Sequence, residues 1–154
     1  MFLDVHIRRG RDWRAGELGM MITNYRAEGA RSLHEYSSTS TLSKQYAEKY
    51  GGPAEIVVPS SLMRRMNEPD VRELIESWVQ YIAVGIYNIV VSLDPECVLL
   101  GGSICQETAF LPLVQQSLEA IPSWKDFNTP VKRCRNVGSA GLLGAYYAFV
   151  SEVR

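Results

Sequence analysis

The stretch PDVRELIESWVQYIAVGIYNIVVSLDPECVLLGGS, residues 69–103, decides the fold, because two periodicities meet in it. Val71, Leu74, Ile75, Trp78, Ile82, Ile86, Ile89, Val90 and Leu93 recur at three- and four-residue steps, the spacing of one helical face. Pro69 suits a first helical turn, where its missing N–H costs nothing, and Asp70 and Glu73 place negative charge at the positive end of the helix dipole. From Ile82 to Val91 the chain is apolar nearly all round, so this half of the helix is expected to be covered on several sides. Asp94-Pro95 ends it. Cys97-Val98-Leu99-Leu100, wholly apolar and closed by Gly101-Gly102, then reads as a buried strand.

On the N-terminal side, Phe2, Leu3, Val5 and Ile7 give a strand over the first eight residues that ends in a turn at Arg8-Arg9-Gly10, and Leu18 to Thr23 is a second strand candidate. Between them Gly10 to Gly16 is a polar loop with an isolated Trp13, and Thr23 to Ser32 reads as a solvated loop. Ser38 to Tyr50 puts Leu42, Tyr46 and Ala47 on one helical face after a run of Ser and Thr that can cap it, and Gly51-Gly52-Pro53 stops it. A short helix follows Pro59, with Ser60 or Ser61 capping Leu62 to Met66.

On the C-terminal side, a helix over Glu107 to Ala120 has Phe110, Leu113, Val114, Leu118 and Ile121 on its inner face and breaks at Pro122-Ser123. A strand at Val131 to Arg135 and a glycine-rich helix from Ser139 to Glu152 complete the order. The pattern is α/β, with connections long enough for right-handed crossovers between parallel strands. With 154 residues, no internal repeat and no low-complexity segment, the chain is expected to form one domain.

Sixteen basic and seventeen acidic residues leave a formal charge of −1, so no net field draws in nucleic acid or an anionic membrane. Cys97, Cys105 and Cys134 are odd in number and lack Cys-x-x-Cys spacing, which argues against a disulfide framework and a zinc knuckle and for reduced thiols. The N-terminus lacks the basic and long apolar regions of a signal peptide, and no uninterrupted apolar run is of membrane-spanning length, so the cytoplasm is the expected compartment.

Three local patterns can carry chemistry. In Gly16-Glu17-Leu18-Gly19 a carboxylate stands between two glycines; it is either an ordinary turn with an exposed Glu, or a fixed acceptor for two neighbouring hydroxyls of a sugar. Leu99-Leu100-Gly101-Gly102-Ser103 is either a tight strand-to-helix turn or backbone space for a nucleotide, since ligands of open α/β sheets gather beyond the carboxyl ends of strands. In Gly138-Ser139-Ala140-Gly141-Leu142-Leu143-Gly144-Ala145 the small residues leave one helix face bare, for another backbone or for a flat ligand. His6 and His34 are too few and too far apart to suggest a metal site. There is no P-loop, no Gly-x-Ser-x-Gly and no dinucleotide fingerprint.

Taken in order, these patterns resemble the ROK family of repressors, open reading frames and kinases. Gly16-Glu17-Leu18-Gly19 resembles its Gly-Glu-x-Gly-His, Asp94-Pro95 with Val98-Leu99-Leu100-Gly101-Gly102 resembles its Asp-Pro-x-x-(apolar)₃-Gly-Gly, and Ala140-Gly141-Leu142-Leu143-Gly144-Ala145 resembles its Ala-Gly-x-x-Gly-Ala. The resemblance implies a ribonuclease-H-like (actin-like ATPase) C-terminal lobe with a mixed sheet that lacks its first strand, the N-terminal ATPase lobe being absent. It implies a sugar and, in the complete parent, ATP and Mg as ligands. Glu17 would bind sugar hydroxyls, and Gly101, Gly102 and Gly141 would shape the nucleotide side.

The departures from the family are specific. Met20 stands where the family has its zinc-ligand histidine, and the Cys-x-Cys-Gly-x-x-Gly-Cys cluster is absent before Leu33, so no zinc is expected. Aligning Tyr36-Ser37-Ser38 with the family's Tyr-Ala-Ser puts His34 at the second sugar-binding carboxylate, with Glu35 one residue later and turned by about 100° on a helix. The phosphate loops and the catalytic Asp would lie upstream, so this chain alone is expected to be inactive. Apolar surface left on the long helix and at Tyr146-Tyr147-Ala148-Phe149-Val150 points to association, with a second copy or with the missing lobe. The parent would be a hexose kinase. The alternatives are the sugar-sensing domain of a repressor, or a non-catalytic remnant that self-associates.

Overall fold

The 25-residue helix that the sequence marks at Pro69–Leu93 runs through the middle of the molecule, and the other elements are arranged by what they bury against it. The computed structural model describes residues 2–3, 6–7 and 10–152. In chain order these hold strands β1 (Phe2–Leu3), β2 (His6–Ile7), β3 (Ile22–Asn24) and β4 (Arg31–Ser32), then helices α1 (Leu33–Ser37), α2 (Thr39–Tyr50), α3 (Pro59–Met63) and α4 (Pro69–Leu93). Strand β5 (Val98–Leu100), helices α5 (Phe110–Glu119) and α6 (Trp124–Phe127), strand β6 (Val131–Arg133) and helix α7 (Ala140–Glu152) follow.

Helix α4 buries Val71, Ile75, Trp78, Val79, Ala83, Ile86 and Val90. Phe110, Val114 and Leu118 of α5, Leu42 of α2, and Leu62 and Met63 of α3 pack into the same core, with Ile104, Cys105, Trp124 and Val131. Trp78 is the hub: its ring lies 5.8 Å from that of Phe110, and its Nε1–H donates to the Ser38 carbonyl at 3.0 Å. Ser38 closes α1 and caps α2, its Oγ accepting the Thr41 amide at 3.2 Å, so one indole fixes the junction of two helices to α4. Every residue from Tyr81 to Tyr87 is buried or half-buried, as the all-round apolar pattern implies, whereas Asn88 and Val91 reach solvent. By length and composition α4 could cross a membrane. Here it serves as the core helix, with Asp70, Arg72, Glu73 and Glu76 in its first two turns.

Several expectations are corrected. The described strands form three separate two-stranded pairs, β1 with β2 and β3 with β4 antiparallel and β5 with β6 parallel, in place of one mixed sheet. The single strand expected over the first eight residues is the short β1–β2 pair in its described part; residues 1, 4, 5, 8 and 9, with Arg8-Arg9 of the expected turn, lie outside the described residues. Leu18 to Thr23 does not run straight: Leu18–Met20 is a 3-10 turn, and β3 begins only at Ile22. Thr23 to Ser32 is a hairpin, with Ile22 opposite Ser32 and Asn24 opposite Arg31.

Further along the chain, Ser60 and Ser61 lie inside α3 instead of capping it, because Pro59 takes the first helical position. Glu107 precedes α5 and pairs with Arg64 at 2.8 Å. Strand β5 is only half-buried, with Leu99 58% exposed, since β6 is its one described neighbour.

Candidate functional site

Gly16 opens the first candidate region with φ +95°, a conformation that glycine adopts freely and side-chain-bearing residues do not. The chain then coils: Leu18 N–H donates to Gly16 O (2.7 Å), Met20 N–H to Glu17 O (3.0 Å) and Met21 N–H to Leu18 O (3.1 Å). Glu17 precedes this 3-10 turn with its side chain exposed and unused as a cap. The turn is seated on α1. A Cβ placed on Gly19 would lie 3.5 Å from the Cβ of His34, and the Leu33 amide donates to Met21 O at 2.7 Å. Two segments separated in sequence therefore meet, and the turn that carries Glu17 faces the exposed His34.

Helix α1 was not read from the sequence, although Ser32-Leu33-His34-Glu35 has the spacing of a capping box. The Glu35 carboxylate accepts from the Ser32 amide at 2.7 Å and from the Ser32 hydroxyl at 3.0 Å. These bonds turn it back onto its own helix start. Of the two residues considered for the second sugar contact, Glu35 is thus occupied in capping and His34 is the one beside the Glu17 turn. The Ser32 amide, then the Ser32 hydroxyl, hold the Glu35 carboxyl below the usual carboxylate range, and Arg31 adds to this.

A depressed folded-state pKa contributes stability above the unfolded value, near pH 4.3, that is lost as pH falls through the lowered folded value. We therefore expect the Glu35 carboxyl carbon to titrate below an ordinary Glu by nuclear magnetic resonance. Glu35→Gln, which keeps an acceptor, should abolish the acid-side fraying of α1 that accompanies this titration.

Asn24, not singled out from the sequence, and Tyr36, used there only to set the alignment, support α1. The Asn24 side-chain amide donates to Tyr36 Oη at 3.3 Å, and the Tyr36 ring stacks on Tyr81 of α4 with centroids 4.3 Å apart. Nothing in their local pattern signals this, since the contact joins a hairpin, a helix start and α4 across long sequence separations. Gly85 of α4 permits the approach: a Cβ there would lie 2.5 Å from Leu33 Cδ2.

The second candidate region lies beyond the carboxyl ends of the parallel pair β5–β6. Gly101 and Gly102 are exposed, and Gly102 has φ +98° and ψ 161°, a region open essentially to glycine alone. The Cys105 thiol donates to Gly101 O at 3.2 Å, and the Cys134 amide donates to Leu100 O at 2.8 Å. Burial, then the neighbouring Cys134, pushes the Cys105 thiol up, so it is an inert buried thiol at neutral pH. A Cβ on Gly101 would make an ordinary 3.6 Å contact with Cys134 Sγ. Accordingly, Gly102→Ala should lower stability by about 1–3 kcal/mol through backbone strain, whereas Gly101→Ala should be near neutral, as thermal unfolding of the two variants will show.

Gly141 stands apart from this arrangement. It lies on α7, with no atom within 4 Å of where its Cβ would be, and Gly144 is equally open. Along α7, Leu142, Leu143, Tyr146, Tyr147 and Phe149 are exposed, so the bare face made by the small residues receives no close partner from the described residues. Among the described residues no group of three or more His, Cys, Asp or Glu side chains is gathered for a metal.

The model of the ROK family matches residues 1–152. A β-glucoside kinase of Listeria monocytogenes is 29% identical over 157 residues, which is 99% of this chain and 52% of that protein. An N-acetylmannosamine kinase of Pasteurella multocida is 36% identical over 81 residues, 53% of this chain and 27% of that protein. A ROK family protein from Streptococcus pneumoniae, crystallised in complex with sucrose, superposes with a TM-score of 0.86 at 25% identity over 96% of this chain and 52% of that one. A ROK hexokinase from Thermus thermophilus superposes with a TM-score of 0.78 at 20% identity, over 97% of this chain and 52% of that one, a likeness of fold. The chain spans about half the length of the Listeria relative and of both solved structures.

Proposed function

Since this chain belongs to the ROK family, we propose that it supplies the sugar-facing and nucleotide-facing wall of a carbohydrate kinase, which transfers the ATP γ-phosphoryl group to a sugar hydroxyl in the complete two-lobed protein. The observation that supports this reading is the Gly16–Met21 turn, which carries the exposed Glu17 and is seated on α1 with Gly19 against His34. A carboxylate with both oxygens open accepts hydrogen bonds from two adjacent sugar hydroxyls, and an imidazole nearby can donate or accept one more. Such paired contacts orient the acceptor hydroxyl toward the phosphoryl group. The kinase names of the Listeria and Pasteurella relatives favour this reading over a sugar-sensing repressor.

On the nucleotide side, the exposed Gly101-Gly102 backbone leaves space that any side chain would narrow, which suits close approach of ATP. Gly141, at the start of α7, would close the same side. ATP, bound with Mg, supplies the phosphoryl group. The base that takes the hydroxyl proton and the loops that hold the phosphates would come from the other lobe, and that lobe, or a second copy of this chain, would cover the apolar side chains of α7. The cytoplasm, where ATP is available, is the compartment that fits this role.

A coupled assay with glucose, a β-glucoside and N-acetylmannosamine tests the proposal. The complete protein should phosphorylate at least one of them in a reaction dependent on Mg-ATP, and the 154-residue chain alone should not. Turnover by the chain alone, or failure of the complete protein with every sugar, would overturn it.

A further inference from the structure

Gly85 is buried deep inside the 25 residues of α4. A glycine there weakens the helix, because it adds backbone freedom and brings no side chain to pack, so its place calls for a reason outside α4. The reason is Leu33. Among the described residues, with the backbone of α4 and the two chain neighbours set aside, the three atoms nearest to a Cβ built on Gly85 all belong to that one side chain. Leu33 Cδ2 would lie at 2.5 Å, Cδ1 at 3.3 Å and Cγ at 3.5 Å. Leu33 is itself buried, and with both methyl groups and Cγ this close, turning one methyl aside does not clear the space.

Gly85 is the last of three seats on one stripe of α4. Trp78, Tyr81 and Gly85 follow one another at steps of three and four residues, which puts them on one helix face. They meet α1 and its C-cap in reverse order. Trp78 Nε1–H donates to the Ser38 carbonyl at 3.0 Å, the Tyr81 ring stacks on Tyr36 with centroids 4.3 Å apart, and Gly85 receives Leu33. Helix α1 has only five residues, too few to hold its shape without a support, whereas α4 is the long core helix. Of the two, α1 is the one that gives way.

Leu33 links this seat to the candidate site. Its amide donates to Met21 O at 2.7 Å, at the end of the turn that carries Glu17, and His34 is the next residue. The turn also touches α4 directly, so it is not free to follow α1. We propose that Gly85 is a positioning residue for the sugar-facing site: its bare backbone sets the depth at which α1 lies on α4, and through Leu33 it fixes where His34 stands relative to the Glu17 turn. Being buried, Gly85 acts through Leu33 and not by contact with a ligand. The proposal rests on the reading of Glu17 and His34 as the sugar-facing pair.

A size exchange tests it. Gly85→Ala adds a methyl group where Leu33 lies, and Leu33→Ala removes all three atoms that the methyl would meet. In amide spectra of the 154-residue chain, Gly85→Ala should move residues 16–21 and 33–36 and leave 101–106 in place. In the complete two-lobed protein, calorimetric titration should show each single variant binding a β-glucoside roughly 3- to 30-fold more weakly, with ATP affinity held within about twofold. The double variant should bind the glucoside more tightly than either single variant, a coupling that two independent packing defects do not produce. If Gly85→Ala does not fold, the comparison of the double variant with Leu33→Ala still decides. Unmoved resonances at 16–21, equal loss of glucoside and ATP, or a double variant no better than the single ones overturns the role of Gly85 and leaves the reading of Glu17 standing. A parent protein that binds no sugar removes that reading and the role of Gly85 with it.

Discussion

Glu17→Gln in the complete two-lobed protein should weaken sugar binding roughly 10- to 100-fold, the loss expected when charge-assisted hydrogen bonds become neutral ones in a closed cleft. ATP affinity should stay within about a factor of two. The substitution keeps the size of the side chain, and Glu17 makes no capping bond within the 3-10 turn, so the turn should survive it. The nucleotide face is built from another part of the chain, beyond β5. Calorimetric titration of both ligands separates the outcomes. Equal loss of sugar and ATP would mean that the carboxylate is a structural element, and no loss of either would remove it from the site.

The second large effect is on stability. Trp78→Ala should lower unfolding free energy by about 3–5 kcal/mol, the usual cost of deleting a buried indole, because Trp78 is packed on Phe110 and bonded to the Ser38 carbonyl. Against the ~5–15 kcal/mol by which domains are stable, that is a large fraction, and the unfolding midpoint should fall by roughly 10 °C or more. The loss should not be confined to the core. Ser38 joins α1 to α2, so the variant should also loosen α1, and hydrogen exchange should speed up at Leu33 to Ser38 before it does in α5.

What the sequence revealed, and what it hid, divides along physical lines. Helix α4 is legible because its burial and its periodicity have the same cause, contact along one stripe with several neighbours. Helix α2 is legible because Ser38 and Gly51 mark its ends chemically. Strand β5 misled, since an apolar run reports only what could be buried, and Leu99 lacks the cover that would bury it. Helix α7, by contrast, exposes Tyr146, Tyr147 and Phe149, the apolar surface its sequence was expected to leave.

At the candidate site, Glu17 stands out by its two flanking glycines, and the glycines prove to have separate reasons. Gly16 takes a positive φ, and Gly19 lies where the turn meets His34, a Cβ there making an ordinary 3.5 Å contact. The division of labour between His34 and Glu35 was not legible, because it depends on where a single carboxylate turns. The Ser32 amide and hydroxyl decide that, and they claim Glu35. The contacts of Asn24 and Tyr36 were hidden for a related reason: they come from the two residues meeting across a hairpin and from the stack of Tyr36 on Tyr81.

On the proposed function, the Glu17 turn and the start of α1 form one sugar-binding face, separate from the Gly101-Gly102 backbone. Amide chemical shifts of the 154-residue chain, followed by nuclear magnetic resonance during titration with a β-glucoside, test it most directly. Shifts should gather at residues 13–20 and 32–36, with residues 101–106 unmoved. Shifts centred on residues 101–106, or saturable binding that leaves residues 13–20 unchanged, would contradict it.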